Sequence, residues 1–182
     1  MRSGRDLLVV GQSSGVDYGV DPEREGTIVW DYRVGHGKTL GGIEWEFAVD
    51  GDKVFFADSG YMTDESDGLS AVYLQTGEAV WSAQEYDAVC GHCDQALLAA
   101  ATAIPYSIFS DTYDGFFRAY SSENGSVFRE YDTNGEYDTV NAKGGSITGP
   151  GPIVVDGMVC VNSGCAAFDG RAGNVLLAFG VD

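Results

Sequence analysis

The chain has 182 residues, enough for one domain with a sizeable core. Its 28 acidic against 10 basic side chains give a formal net charge of −18, which repels phosphate backbones and anionic bilayers and argues against nucleic acid as a partner. No stretch approaches the roughly 20 apolar residues of a membrane span, and the opening MRSGRDLLVV has only four consecutive apolar residues, short of the about 7–15 of a signal-peptide core.

Along the chain, short apolar runs bounded by Gly, Asp and Asn read as strands. DLLVVGQSSG at 6–15 is the first, followed by EGTIVW at 25–30. GGIEWEFAVDG (41–51), DKVFFADSG (52–60) and TGEAVW (76–81) come next. The same three types recur as CDQALLAAATA (93–103), IPYSIFSDTYDG (104–115) and NGSVFR (124–129). The first two return as GGSITGPGPIVVDG (144–157) and DGMVCVNSG (156–164). AGNVLLAFGVD, from Ala172, reads as a shortened copy of the EGTIVW type, an outer strand opened by Gly173 and ending near Phe179. With 26 Gly and only 4 Pro, the composition suits tight turns rather than disorder.

A period of about 50 residues with about four short strands per unit is the pattern of β-propeller blades. The fold expected is therefore all-β, one partial propeller of about 3.5 four-stranded blades, divided near 1–34, 35–85, 86–133 and 134–182. Trp30, Trp81 and Phe128, each following a Gly turn, are expected to plug the space between neighbouring blades. Asn124-Gly125 suits a hairpin turn, and Asn124 also opens an N-G-S sequon, relevant only in a glycosylating secretory pathway. Because the pattern starts at a second strand and ends on an outer one, we expect the C-terminal part of a larger propeller or a truncated product, with unburied end faces.

Propeller topology brings the connections into inner strands and out of second strands to one end of the ring. GHGKTLGGIEW (35–45), CGHCDQ (90–95) and NAKGGSITG (141–149) fall there, with DSGYMTDESDG, SDTYDG and NSGCAAFDGRAG. Ligand sites favour such clustered loops on a rigid scaffold. CGHCDQ reads as a metal site, a redox pair or a loop that merely brings two thiols together. Asp94 after Cys93 excludes a c-type haem. Zinc needs four ligands, of which Cys165 on the same end is one more.

LLVVGQSSGVDYGVDPEREGTIVWDYRVG resembles the tryptophan-docking repeat of quinoprotein dehydrogenases, which use pyrroloquinoline quinone (PQQ). LGGIEWEFAVDGDKVFFADS, YDGFFRAYSSENGSVF, YDTVNAKGGSITGPGPIVVDGMVCVNSG and GNVLLAFGVD narrow the resemblance to the C-terminal half of polyvinyl-alcohol-dehydrogenase-like proteins. GGIEW and AKGGSITGPGP are its most specific stretches. The resemblance implies an eight-bladed ring carrying PQQ and a divalent cation, usually Ca²⁺. It implies oxidation of alcohol groups to carbonyls, with electrons passed to a cytochrome c-type acceptor. It also implies a periplasmic or secreted protein whose leader lies upstream. A non-catalytic binding propeller of the outer-membrane assembly lipoprotein type is the alternative, since such proteins share the docking repeat.

Given that resemblance, a planar quinone with three carboxylates wants an aromatic surface and cationic or backbone donors, and its cation wants oxygen ligands. Glu44 is then a candidate cation ligand and Trp45 a packing surface beside the quinone. Lys143, before the permissive Gly144-Gly145 pair, is a candidate partner for a quinone carboxylate. Asn162 is a second candidate cation ligand, and Asp111 the candidate base that removes the hydroxyl proton. His36 reads as a loop residue with a lesser claim on a cofactor carboxylate, and Asp64, Asp67 and Asp114 as turn formers. In an exported protein Cys90 and Cys93 are expected to form a structural disulfide. The family's pair in this loop is more widely spaced, so the tight spacing is a departure.

Overall fold

The computed structural model describes residues 4–35, 37, 39–61, 68–83, 96–138 and 140–180. The expectations for His36, Asp64, Asp67, Cys90 and Cys93 fall outside these described residues.

Four antiparallel sheets follow one another along the chain. The first holds β1 (Leu8–Gly11), β2 (Val16–Asp21) and β3 (Thr27–Arg33). In the second are β4 (Ala48–Asp50), β5 (Lys53–Ala57), β6 (Leu69–Tyr73) and β7 (Ala79–Ala83). The third comprises β8 (Thr102–Ile104), β9 (Ser107–Asp111), β10 (Phe116–Ser121) and β11 (Val127–Asp132). A two-stranded hairpin, β12 (Glu136–Tyr137) and β13 (Ala142–Lys143), precedes the fourth sheet, β14 (Ile153–Val155), β15 (Met158–Ser163) and β16 (Val175–Gly180). Turn chemistry sets these hairpins: Asp156 and Gly157 join β14 to β15 with φ of 48° and 75°, the Asp-Gly pattern that matches strand twist.

Register makes the repeat explicit. Gly11, Ala57, Asp111 and Asn162 on the second strands face Asp17, Leu69, Phe117 and Leu176 on the third strands. In the first three sheets the third-to-outer pairing slips by a bulge at the same place, after Gly19, Ala71 and Ala119. That slip puts Trp30 opposite Gly19 and Trp81 opposite Ala71. Only Gly fits beneath Trp30, since a Cβ at Gly19 would lie 2.1 Å from the indole. Each indole then reaches the next sheet. Trp30 Nε1 donates to Leu74 O at 2.9 Å and Trp81 Nε1 to Ser122 O at 3.2 Å, their rings lying on Gly77 and Gly125.

Two expectations are corrected here. β16 pairs with β15 in the place of a third strand, as β6 does with β5, so 172–180 is not a shortened outer strand. Phe128 is not the third plug. Counting from each turn Gly, and by the bulge, Arg129 stands opposite Ala119 where the other sheets have Trp, while Phe128 and Arg129 are both exposed. The aromatic at 128 sits one residue early, at the bulge itself.

The core lies between successive sheets, as blades of a propeller pack. Val9, Trp30 and Val34 meet Val54, Phe56 and Val72. Phe55, Leu69 and Ala71 meet Ile108 and Tyr120. Phe109, Phe117 and Ala119 meet Ile147 and Val161. Strand alternation assigns one face of each sheet to each neighbour.

Candidate active-site end of the propeller

Segments leading into the inner strands run side by side. Ala101 N donates to Glu46 O, Ala100 N to Gly149 O and Gly149 N to Leu98 O, with a parallel bridge between Ala99 and Gly149. A Cβ on Gly151 would lie 2.0 Å from Ala100 O, so this approach needs glycine. Glu44 and Trp45 enter this layer from the second sheet. Glu44 is half-buried, and its Oε1 is enclosed with no hydrogen-bond partner among the described residues, while Trp45 is 43% exposed.

Lys143 ends β13 and is exposed. Its backbone is pinned to the fourth sheet, its N–H donating to Asn174 Oδ1 at 3.0 Å and its carbonyl accepting from Asn174 N at 2.8 Å. Gly144 and Gly145 are buried against protein backbone: a Cβ would lie 1.6 Å from Thr133 O at Gly144 and 2.1 Å from Arg171 O at Gly145. Gly145 N donates to Ser163 Oγ at 2.9 Å, and Ser163 Oγ also meets Thr133 Oγ1 at 2.7 Å. The close approach expected of the glycine pair is thus made to neighbouring loops of the same chain. Asn162, beside buried Ser163, is exposed.

Asp111 occupies the same repeat position as Asn162, but it is fully buried and faces the fourth sheet with Phe109 and Phe117. Neither carboxylate oxygen has a hydrogen-bond partner among the described residues. Burial without compensation pushes its pKa up to about 8. Asp114, three residues on, is also raised by burial, although Thr112 Oγ1 donates to it and Arg118 draws it back.

Asp17 escaped the reading of the sequence. It stands where the other sheets carry Leu69, Phe117 and Leu176, fully buried and with no hydrogen-bond partner for either oxygen among the described residues. Desolvation, and after it the charge of Asp58 on the second sheet, push its pKa up to about 8. The signal was present: one ionisable residue in an apolar column of the repeat. Among the described residues, however, no three His, Cys, Asp or Glu side chains gather closely enough to hold a metal ion. No hydrogen bond or ion pair joins the side chains of Glu44, Lys143, Asn162 and Asp111 among the described residues.

Loops of three sheets meet at this end. Tyr61 follows β5, Tyr113 follows β9, and Phe168 lies in the turn between β15 and β16. Ring centroids are 5.4 Å apart for Tyr61–Tyr113 and 5.8 Å for Tyr61–Phe168. Direct contact between the second and fourth blades, across the third, is possible only near the axis where blades converge.

No family model matches the chain. Among curated proteins it is 37% identical over 200 residues to a polyvinylalcohol dehydrogenase of a Pseudomonas species, a match covering 100% of this chain and 31% of the relative. It is 35% identical to the polyvinylalcohol dehydrogenase of Sphingopyxis sp. (strain 113P3), again over 100% of this chain and 31% of the relative. Among solved structures it superposes on a quinohemoprotein alcohol dehydrogenase from Pseudomonas putida HK5 with a TM-score of 0.64 at 15% identity, covering 87% of this chain and 27% of that one. BamB from Moraxella catarrhalis gives a TM-score of 0.63 at 19% identity, covering 98% of this chain and 47% of that one. These structures support the propeller fold. Along its whole length the chain is similar to these two polyvinylalcohol dehydrogenases, and it spans about a third of their length.

Proposed function

We propose that this chain is part of a PQQ-dependent alcohol dehydrogenase that oxidises secondary alcohols, polyvinyl-alcohol-like chains among them, to carbonyls. The supporting observation is the identity of 35–37% to two named polyvinylalcohol dehydrogenases over the whole chain. PQQ, when bound, takes up the two electrons released as the alcohol becomes a carbonyl. A cytochrome c-type protein is the proposed acceptor, and the periplasm or the extracellular space the proposed location.

The residues present fit part of such a site. Glu44 brings an enclosed, unsatisfied carboxylate oxygen to the innermost layer, which suits a hard cation. With Ca²⁺ taking 6–8 oxygens, Glu44 and Asn162 are only a share of the set. Trp45 offers an aromatic face beside Glu44, and the exposed Lys143 side chain a cationic edge, while the Gly144-Gly145 backbone is taken up within the chain. Asp111 is the proposed base. Its pKa of about 8 is near that of a base working in mildly alkaline solution, and its enclosure favours proton transfer over leakage to water.

The polypeptide carrying this chain, given PQQ and Ca²⁺, is expected to oxidise a secondary alcohol with an artificial electron acceptor and without nicotinamide. Glu44→Gln should weaken cation-dependent PQQ binding by roughly 10–100-fold. Asp111→Asn should leave PQQ binding intact and lower turnover. A polypeptide that bound no PQQ would instead be a binding propeller.

A further inference from the structure

Phe168 carries more constraint than a surface phenylalanine needs. Its backbone is left-handed, φ 55° and ψ 38°, and Asp169 after it has φ 65°. Asp tolerates that region, but the bulky Phe168 does not, so its conformation is strained and must be imposed by its surroundings. The imposition is visible: Tyr61 Oη and Tyr113 Oη both donate to the carbonyl of Phe168, at 2.9 and 2.5 Å, and Tyr113 Oη also reaches Ala167 O at 3.0 Å. Two tyrosines from two other blades therefore hold one turn of the fourth. What they hold out is a ring that stays 45% exposed, although Tyr113 beneath is buried.

The chemistry of that surface is narrow. Both hydroxyl protons are spent on backbone carbonyls, so the cluster offers ring carbon and no free hydroxyl donor. Among the described residues, the exposed Asp169 is the charged residue next in sequence to the ring, and the chain as a whole is strongly acidic. An anionic ligand, including a carboxylated quinone, is disfavoured there, whereas an uncharged hydrocarbon-rich molecule is not.

We infer that Phe168, braced by Tyr61 and Tyr113, is a docking shelf at the axial mouth for the hydrocarbon backbone of an uncharged alcohol, and so favours long substrates over short ones. This rests on the alcohol-oxidising function proposed above, and adds the residues that select chain length.

The test uses the complete polypeptide and a vinyl alcohol oligomer, with an acrylic acid oligomer of similar length as the anionic control. Phe168→Gly deletes the ring and relieves the left-handed backbone, so melting temperature should hold or rise. Oligomer affinity, read by calorimetry, should fall at least tenfold. KM for the oligomer should rise by the same factor while kcat, and KM for a short secondary alcohol, stay put. Phe168→Leu, which keeps apolar bulk, should fall between, and serves if the glycine variant folds poorly. Oligomer affinity within twofold of the parent in both variants, or equal affinity for the acrylic acid oligomer, would overturn the shelf. Loss of Phe168-dependent binding with alcohol oxidation intact sinks the shelf alone. Phe168-dependent binding without any alcohol oxidation sinks the dehydrogenase and leaves the shelf standing.

Discussion

Two joints between neighbouring blades are locked by tryptophan and the third is not. At the first and second joints an indole from the outer strand lies on the turn glycine of the next blade and donates to the carbonyl three residues before it. At the third joint the equivalent residue is the exposed Arg129, and aromatic contacts take over: Phe117 stacks 4.9 Å from Phe179, and Tyr131 meets the same ring edge-on at 5.1 Å. A groove of about 470 Å³ remains there, lined by Phe128, Tyr131, Val154, Val159 and Phe179 among others. β16 runs to Gly180, and the turn that would receive an indole from position 129 lies past the described residues. Tryptophan docking is thus a two-part device, an indole on one blade and a turn glycine with its upstream carbonyl on the next.

The largest effect should fall on the locked joints. Trp30→Ala removes a buried indole and its hydrogen bond and should cost about 3–5 kcal/mol in urea unfolding. Arg129→Ala, at the same repeat position, should stay within about 0.5 kcal/mol. Comparable costs would erase the distinction between the joints.

The next effect concerns charge, and it groups the joints differently. Asp17 sits in the first joint and Asp111 in the third, whereas the second has Ala57 and Leu69 at those positions. Both pKa values are raised from 3.8 to about 8, so the folded state keeps protons that the unfolded chain releases. Their stabilising contribution is therefore full below about pH 4, falls as the pH climbs, and levels off above about pH 8. Asp17→Leu, which restores the residue type of the other blades, should flatten part of that slope and add on the order of 2 kcal/mol at pH 8. Unfolding curves at pH 5, 7 and 9 decide it; an unchanged slope removes Asp17 as a cause.

Much of this architecture was legible beforehand, because a repeat reports itself several times. Gly turns, apolar runs and the Trp30 and Trp81 positions each recur, so the strands followed from period and composition. The errors came where the repeat decays. Phe128 drew the eye as the nearest aromatic, yet a bulge fixes register by counting, and the count gives Arg129. The run at 172–180 ends in an aromatic like an outer strand, but its partner β15 makes it a third strand. At the site, types of residue could be read but not meetings between them. The Tyr61–Tyr113–Phe168 cluster unites positions up to 107 residues apart, and nothing local in the chain announces it. Asp17 was the one readable omission, visible only after the repeats are aligned strand by strand.

A smaller effect separates docking from turn geometry. Gly77 and Gly157 have almost the same backbone, φ of 70° and 75°. A Cβ at Gly77 would lie 2.7 Å from the Trp30 ring, whereas one at Gly157 meets nothing within 4 Å. Alanine at either position bears the left-handed strain, about 1–2 kcal/mol. Gly77→Ala must also displace the indole, and should cost about 1 kcal/mol more than Gly157→Ala. Equal losses would mean that the ring yields freely and that the hydrogen bond to Leu74, not the stacking, holds the joint.

The smallest effect is expected where a tryptophan is put back. Arg129→Trp places an indole at the third joint at the position equivalent to Trp81. If the side chain alone made the lock, the variant should gain stability on the scale that Trp30→Ala loses. If the receiving turn is the other half, the new Nε1–H finds no carbonyl to take it among the described residues and the ring only covers part of the neighbouring groove. Apolar cover of that kind offsets little beyond the exposure of the ring itself, so the change should be within about 0.5 kcal/mol. A gain of several kcal/mol would show that the groove lined by Val154, Val159 and Phe179 is itself a sufficient receptor. The third joint would then differ from the first two by the residue at 129 alone.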